Sequence, residues 1–262
     1  MRGMVQIMAM KKPFSILIYG PAKTGKSTFA NTAPGPKLII DFESSAHWLV
    51  GRKIQWDPTN EPVPEYDGTW DIVFVSIQDY HDLDIIMDVL LSGAHPFRSV
   101  VVDSLSEGQN LIKDDRLGTT KMDLQKWGEL AEMTGRFARD LRNLISRRGN
   151  PVENVIIIAT ETKIKDKEGN VTQIRPALKG KTQHELPYLY DVIGYYYISD
   201  DLVVDPEDNT KNHYEKSRYL FTDSSTIFTT GSRSPLLVGT YKNPTVTSMI
   251  NTAYAVNEEE IN

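Results

Sequence analysis

The feature that most constrains the fold is the run Gly20-Pro21-Ala22-Lys23-Thr24-Gly25-Lys26-Ser27, which matches G-x-x-x-x-G-K-[ST] at every fixed position. Its surroundings sharpen it. Phe14 to Tyr19 (FSILIY) is a short apolar run that reads as a buried strand, and a small-residue helix start follows Lys26. A strand that feeds a glycine loop and then a helix needs a sheet around it. The glycines let the backbone wrap an anion with its N–H groups turned inward, and the helix start adds partial positive charge. In that geometry Lys26 reaches the β- and γ-phosphates of ATP and Ser27 ligates Mg²⁺. The binding loop is then Gly20, Pro21, Ala22, Lys23, Thr24, Gly25, Lys26, Ser27 and Thr28. The plainer alternative is a glycine turn that holds no nucleotide.

Further apolar runs supply the sheet. Lys37 to Phe42, Asp71 to Ile77, Ser99 to Val102 and Val155 to Ala159 are continuous Val/Ile/Leu segments, the pattern of strands covered on both faces. Between them lie helical periodicities. Leu83, Ile86, Met87, Leu90 and Leu91 form one stripe, and Trp127, Leu130, Thr134, Phe137, Leu141, Leu144 and Ile145 form a longer one that Gly149-Asn150-Pro151 ends. Residues 52–70, with Pro58, Pro62 and Pro64, read as a loop excursion. The expected class is α/β, a mainly parallel sheet with helices on both faces.

After residue 160 the pattern turns β-rich. A hairpin is expected over Lys163 to Leu178 around Lys167-Glu168-Gly169-Asn170, then a strand over Val192 to Ser199. Residues 200–215 read as an acidic loop, Arg218–Phe221 with Thr226–Thr229 as a late hairpin, and 244–256 as a closing helix. The expected division is a flexible leader at 1–12, a core at 13–200, an extension packed on it at 201–256, and an acidic tail at 257–262. Cysteine is absent, which excludes disulfides, thiolate zinc sites and cysteine nucleophiles. No apolar run reaches the roughly 18 residues of a membrane span.

Two carboxylate positions stand out. Asp103 follows the run SVVV, so it sits at a strand tip beside the phosphate loop and would hold Mg²⁺ with Ser27. Its alternative role is an N-cap of the next helix. Glu43 lies just beyond LIID and could polarise a water near the γ-phosphate. Asp41 competes for that role, or instead structures the turn.

Together GPAKTGKS, LIIDFES, SVVVDS and VIIIATET resemble a RecA-like P-loop ATPase over residues 13–198, and the order of parts is similar to the RecA-like ATPases of phage recombination modules. The resemblance implies an ATP-hydrolysing enzyme with Glu43 as the general base. It puts Thr160 where that group carries a polar sensor residue, often histidine. It also implies self-association into a ring or filament, with Lys179 and Lys181 as candidate cations supplied to a neighbour's γ-phosphate. The loop after the last core strand would contact single-stranded DNA, and the candidates there are Lys163, Lys165, Lys167 and Arg175.

Net charge alone, -6, excludes a bulk basic coat protein, but residues 163–181 carry six basic and two acidic side chains. A cationic groove suffices to track a backbone. Alternating lysines on a hairpin equally serve as a solvated, aggregation-resistant edge. Tyr188, Tyr190, Tyr195, Tyr196 and Tyr197 read as core plus surface packing rather than a stacking platform. The leading expectation is a DNA-stimulated ATPase that binds single-stranded DNA and promotes annealing or strand exchange in the host cytoplasm, with a single-strand-binding protein as a further partner. The competing expectations are a protein-directed ATPase (a helicase loader or regulatory switch), a small nucleotide kinase, and a nucleotide-binding module without turnover.

Overall fold

A computed structural model describes residues 12–118, 122–203 and 213–255. The expected leader (save Lys12), the centre of the expected acidic loop and the expected acidic tail lie outside these residues. The elements are β1 (Phe14–Gly20), α1 (Lys26–Ala30), β2 (Lys37–Asp41), β3 (Lys53–Gln55), β4 (Ile72–Ser76), α2 (Tyr80–Ser92), β5 (Ser99–Asp103), α3 (Leu105–Arg116) and α4 (Leu124–Leu144). They continue with β6 (Asn154–Lys165), β7 (Val171–Pro176), α5 (Thr182–Glu185), β8 (Val192–Val203), β9 (His213–Phe221), β10 (Gly231–Ser232), β11 (Thr240–Lys242) and α6 (Val246–Ala253).

The strands form one sheet in the order β11-β9-β8-β1-β6-β5-β2-β4-β3, with β10 on β8 and β7 on β6. From β3 to β8 every neighbouring pair on this path is parallel, and β9 and β11 add antiparallel strands beyond β8. Alternation along β1 explains its unbroken apolar sequence. Leu17 and Tyr19 pack with Leu83, Ile86, Leu130 and Leu141 of α2 and α4 on one face. Ile16 and Ile18 pack with Phe29 of α1 and with Met249 and Ile250 of α6 on the other. Each of the fully buried leucines or isoleucines contributes roughly 2 kcal/mol by burial. Both faces are thus covered by helices, as the apolar strand pattern requires.

Four details depart from the sequence reading. Residues 52–70 include the short β3, which pairs in parallel with β4. Helix α3 was not legible, because its buried face at Leu105, Gly108, Gln109 and Ile112 is half polar or glycine and breaks the apolar stripe. Residues 200–215 are not all loop: β8 runs on to Val203 and β9 begins at His213, so the two form one long hairpin. Arg218–Phe221 pairs with β8 and β11, not with Thr226–Thr229. The pairing with β8 buries Leu220 in the second core, and residues 227–229 instead bond to Ile174 of β7. Among the described residues no helix is long and apolar enough to cross a membrane.

Candidate functional site

Strand β1 ends at Gly20 against the backbone of β8. A Cβ there would lie 2.1 Å from Tyr196 O, so only glycine lets the chain leave the sheet at that point. The loop closes at Gly25, whose φ of 98° precedes α1 and favours glycine. Thr24 Oγ1 donates to Pro21 O across the loop at 3.0 Å. The Lys26 side chain lies along its inner side, with Nζ donating to Gly20 O at 3.0 Å and Pro21 O at 2.7 Å. Lys26 is buried, and burial pushes its pKa down, against the opposing pull of Asp103, Glu43 and Glu161. A buried ammonium that meets only two carbonyls is placed for a further anionic partner.

The carboxylates come from neighbouring strand tips. Asp41 and Asp103 are register partners across β2 and β5, and both are buried. Burial pushes the Asp103 pKa up to about 6, helped by Glu43 and Asp41, while a hydrogen bond from Ser27 pulls it down. The Ser27 hydroxyl is thus close enough to the Asp103 carboxylate to act on its charge, and these hard oxygen donors fit a Mg²⁺ ion. Asp41 takes the structural role: it accepts from Glu43 N at 3.1 Å and Ala46 N at 2.7 Å, which fixes the turn after β2. That turn leaves Glu43 exposed, with Oε1 accepting from Ser104 Oγ at 2.6 Å. Ser104, not Asp103, is the N-cap of α3. Thr160 is the register partner of Gly20, and its N–H donates to Ser106 Oγ at 3.1 Å.

The structure thus brings Lys26, Ser27, Asp103, Glu43 and Thr160 to the carboxyl end of the central parallel strands. It also brings two residues the sequence reading did not use. Glu161 accepts from Tyr195 OH at 2.8 Å and pairs with Lys163 at 3.1 Å, close enough to Lys26 to act on its charge. Arg218 of β9 donates from Nε to Thr24 O at 3.2 Å. The TET run after VIIIA marks Glu161 as a strand-end polar residue; nothing in the local sequence marks Arg218.

The remaining cations are elsewhere. Lys179 is tied to α3, its N–H donating to Gln109 Oε1 at 2.7 Å and its Nζ to Asn110 Oδ1. Lys181 is exposed at the start of α5. Lys163, Lys165 and Lys167 are exposed on the β6–β7 hairpin. Across that hairpin Lys163 faces Ile174 while Thr162 faces Arg175, so Lys163 and Arg175 lie on opposite faces. Arg175 lines a cavity of about 280 Å³ with Gln173, His184 and Tyr188, and its buried Nε has no hydrogen-bond partner among the described residues. The basic run is therefore not one patch. The tyrosines divide as alternation demands: Tyr196 packs on Phe29, and Tyr195 stacks with Tyr197 on the other face.

A glycine loop with a buried lysine, set at the carboxyl ends of parallel strands beside a serine–aspartate pair, defines a P-loop nucleoside triphosphatase. The AAA domain family matches residues 12–234, and the chain belongs to that family and is an ATPase. No curated protein matches the sequence. Among solved structures, the genome packaging NTPase B204 from Sulfolobus turreted icosahedral virus 2, in complex with ATPγS, is 11% identical, with a TM-score of 0.36 over 76% of this chain and 79% of that one. The RadB recombinase is 15% identical, with a TM-score of 0.39 over 79% of each chain.

Proposed function

We propose that this ATPase binds Mg²⁺-ATP at residues 20–28 and hydrolyses it with Glu43 as general base, in a RecA-like protein of phage recombination that acts on single-stranded DNA. The convergence of Lys26, Ser27, Asp103 and Glu43 at the carboxyl end of the central strands carries the reading. Lys26 exchanges its two carbonyl partners for β- and γ-phosphate oxygens. Ser27 and Asp103 would hold Mg²⁺, which when bound draws negative charge from the phosphate oxygens. Glu43 takes the proton of the attacking water, and the Ser104 hydroxyl orients that carboxylate. Thr160 supplies a polar contact at the same end. Strands β9 and β11 and helix α6 act as one unit with the core, and the protein works as a multimer in the host cytoplasm.

For DNA, Lys163, Lys165 and Lys167 give an exposed cationic edge that tracks phosphates. The division of Lys163 and Arg175 between two faces favours a second reading, an ATPase directed at a protein partner. The ATP hydrolysis rate with and without single-stranded DNA, across a salt series, separates the two. The first reading expects stimulation that fades with salt and disappears when Lys163, Lys165 and Lys167 are replaced together by Ala. A rate indifferent to DNA at low salt supports the second.

A further inference from the structure

Arg218 reaches the phosphate loop from outside the loop itself, and it enters from the flank opposite the carboxylates. Asp103, Glu43 and Glu161 belong to or follow β5, β2 and β6, all on one side of β1 in the sheet. Arg218 belongs to β9, two strands away on the other side. Its backbone is braced from both directions: Arg218 N donates to Asn243 Oδ1 at 2.9 Å, and Asn243 N donates to Arg218 O at 2.6 Å. The side chain reaches back over the loop. A Cβ at Gly25 would lie 2.7 Å from Arg218 Nε, so the guanidinium rests directly on the loop's second glycine. With Nε held by Thr24 O, the two terminal nitrogens make no hydrogen bond or ion pair among the described residues.

The face around Arg218 is open and mixed in polarity, and the pair next to Arg218 along it is Asp200–Lys216, both exposed. Arg218 pairs across the hairpin with Ile198, which is 40% exposed. Two steps further along the same face Leu202 pairs with Tyr214, and these are 53% and 72% exposed. This face is continuous with Tyr196 and Leu220, which pack on the α1 side of the sheet. A triphosphate whose γ end lies with Lys26, Asp103 and Glu43 leaves its nucleoside on the β8–β9 flank. A planar cation beside an exposed aliphatic side chain suits a flat, uncharged ring.

We infer that the face of β8 and β9 around Arg218 and Ile198 is the nucleoside subsite of this ATPase, with Arg218 contacting the base and ribose and Ile198 forming the wall beside it. The inference rests on the phosphate-loop reading. Binding of AMP-PNP and of inorganic tripolyphosphate, each with Mg²⁺, is measured by calorimetry for the wild type, Arg218→Ala and Arg218→Lys. Arg218→Ala should weaken AMP-PNP roughly tenfold, the worth of a contact to a charged donor, and tripolyphosphate by less than about twofold. Arg218→Lys keeps the charge without the planar fork, so its AMP-PNP affinity should fall between the wild type and Arg218→Ala, which also guards against misfolding of a single variant. Unchanged AMP-PNP affinity in Arg218→Ala, or equal losses for both ligands, overturns the inference and leaves the phosphate loop standing. Wild-type protein that binds neither ligand overturns the phosphate-loop reading and this inference with it.

Discussion

At β5 and β2 the strands stop at the site; at β8, as at β6, they run past it. Strands β2 and β5 end on Asp41 and Asp103, and the residues just beyond them, Glu43 and Ser104, meet at 2.6 Å. Strand β8 instead continues from Tyr195, level with Tyr19, to Val203 and returns as β9, so what it offers the loop is a face rather than a tip. The first flank delivers charge to a point. The second delivers one arginine and a surface. Chemistry at the reacting end of a nucleotide needs fixed donors and acceptors, whereas holding the nucleoside end needs area.

The difference between the flanks predicts how variants separate. The largest effect is expected for Lys26→Ala, which removes the buried cation on which both flanks depend. ATP affinity should fall at least about a hundredfold by calorimetry, the cost of losing a charged buried partner. The melting temperature of the ligand-free protein should not fall, since burial already disfavours that ammonium. A melting point several degrees lower would mean that Lys26 is structural. Next comes Glu43→Gln, which keeps an acceptor for Ser104 but loses the base. Turnover should drop about a hundredfold or more while ATP affinity stays within about twofold; normal hydrolysis would move the general base elsewhere. Loss of affinity without loss of turnover per bound ATP is the pattern expected on the other flank.

The smallest effect concerns the hairpin itself. Hydrogen bonds from Lys242, Tyr219 and Ser217 hold the Asp201 carboxyl down to about 2. A carboxylate lowered by folding stabilises the native state above its ordinary value of 3.8, and that stabilisation is lost as pH falls toward 2. Melting curves between pH 5 and 2 should therefore show a steeper acid loss for the wild type than for Asp201→Asn. Parallel curves would show that the Lys242–Asp201 contact adds nothing to the hairpin.

How much of this was legible follows from where each residue stands in its strand. Gly20, Lys26, Glu43 and Asp103 each follow an apolar run, and such runs are visible without knowing what pairs with what. Helix α3 was hidden because Gly108 and Gln109 interrupt its buried stripe: Gly108 lies against the Phe42 ring, and Gln109 bonds Lys179 and Thr182. The basic run 163–181 was legible as charge but not as a surface. Strand alternation sends Lys163 and Arg175 to opposite faces, and Glu161 and Asn110 engage Lys163 and Lys179 within the chain.

By itself the sequence determined the α/β class, the phosphate loop and the strand-tip carboxylates, because local apolar periodicity and one rigid motif dictate them. Only the tertiary structure decided that β9 pairs with β8 rather than with Thr226–Thr229. That register carries Arg218, 194 residues from Thr24 in sequence, onto the phosphate loop at Thr24 and Gly25. Pairing partners between distant strands are chosen by the burial they jointly achieve, here Leu220 against Tyr196 and Phe29, and no short stretch of sequence holds that information.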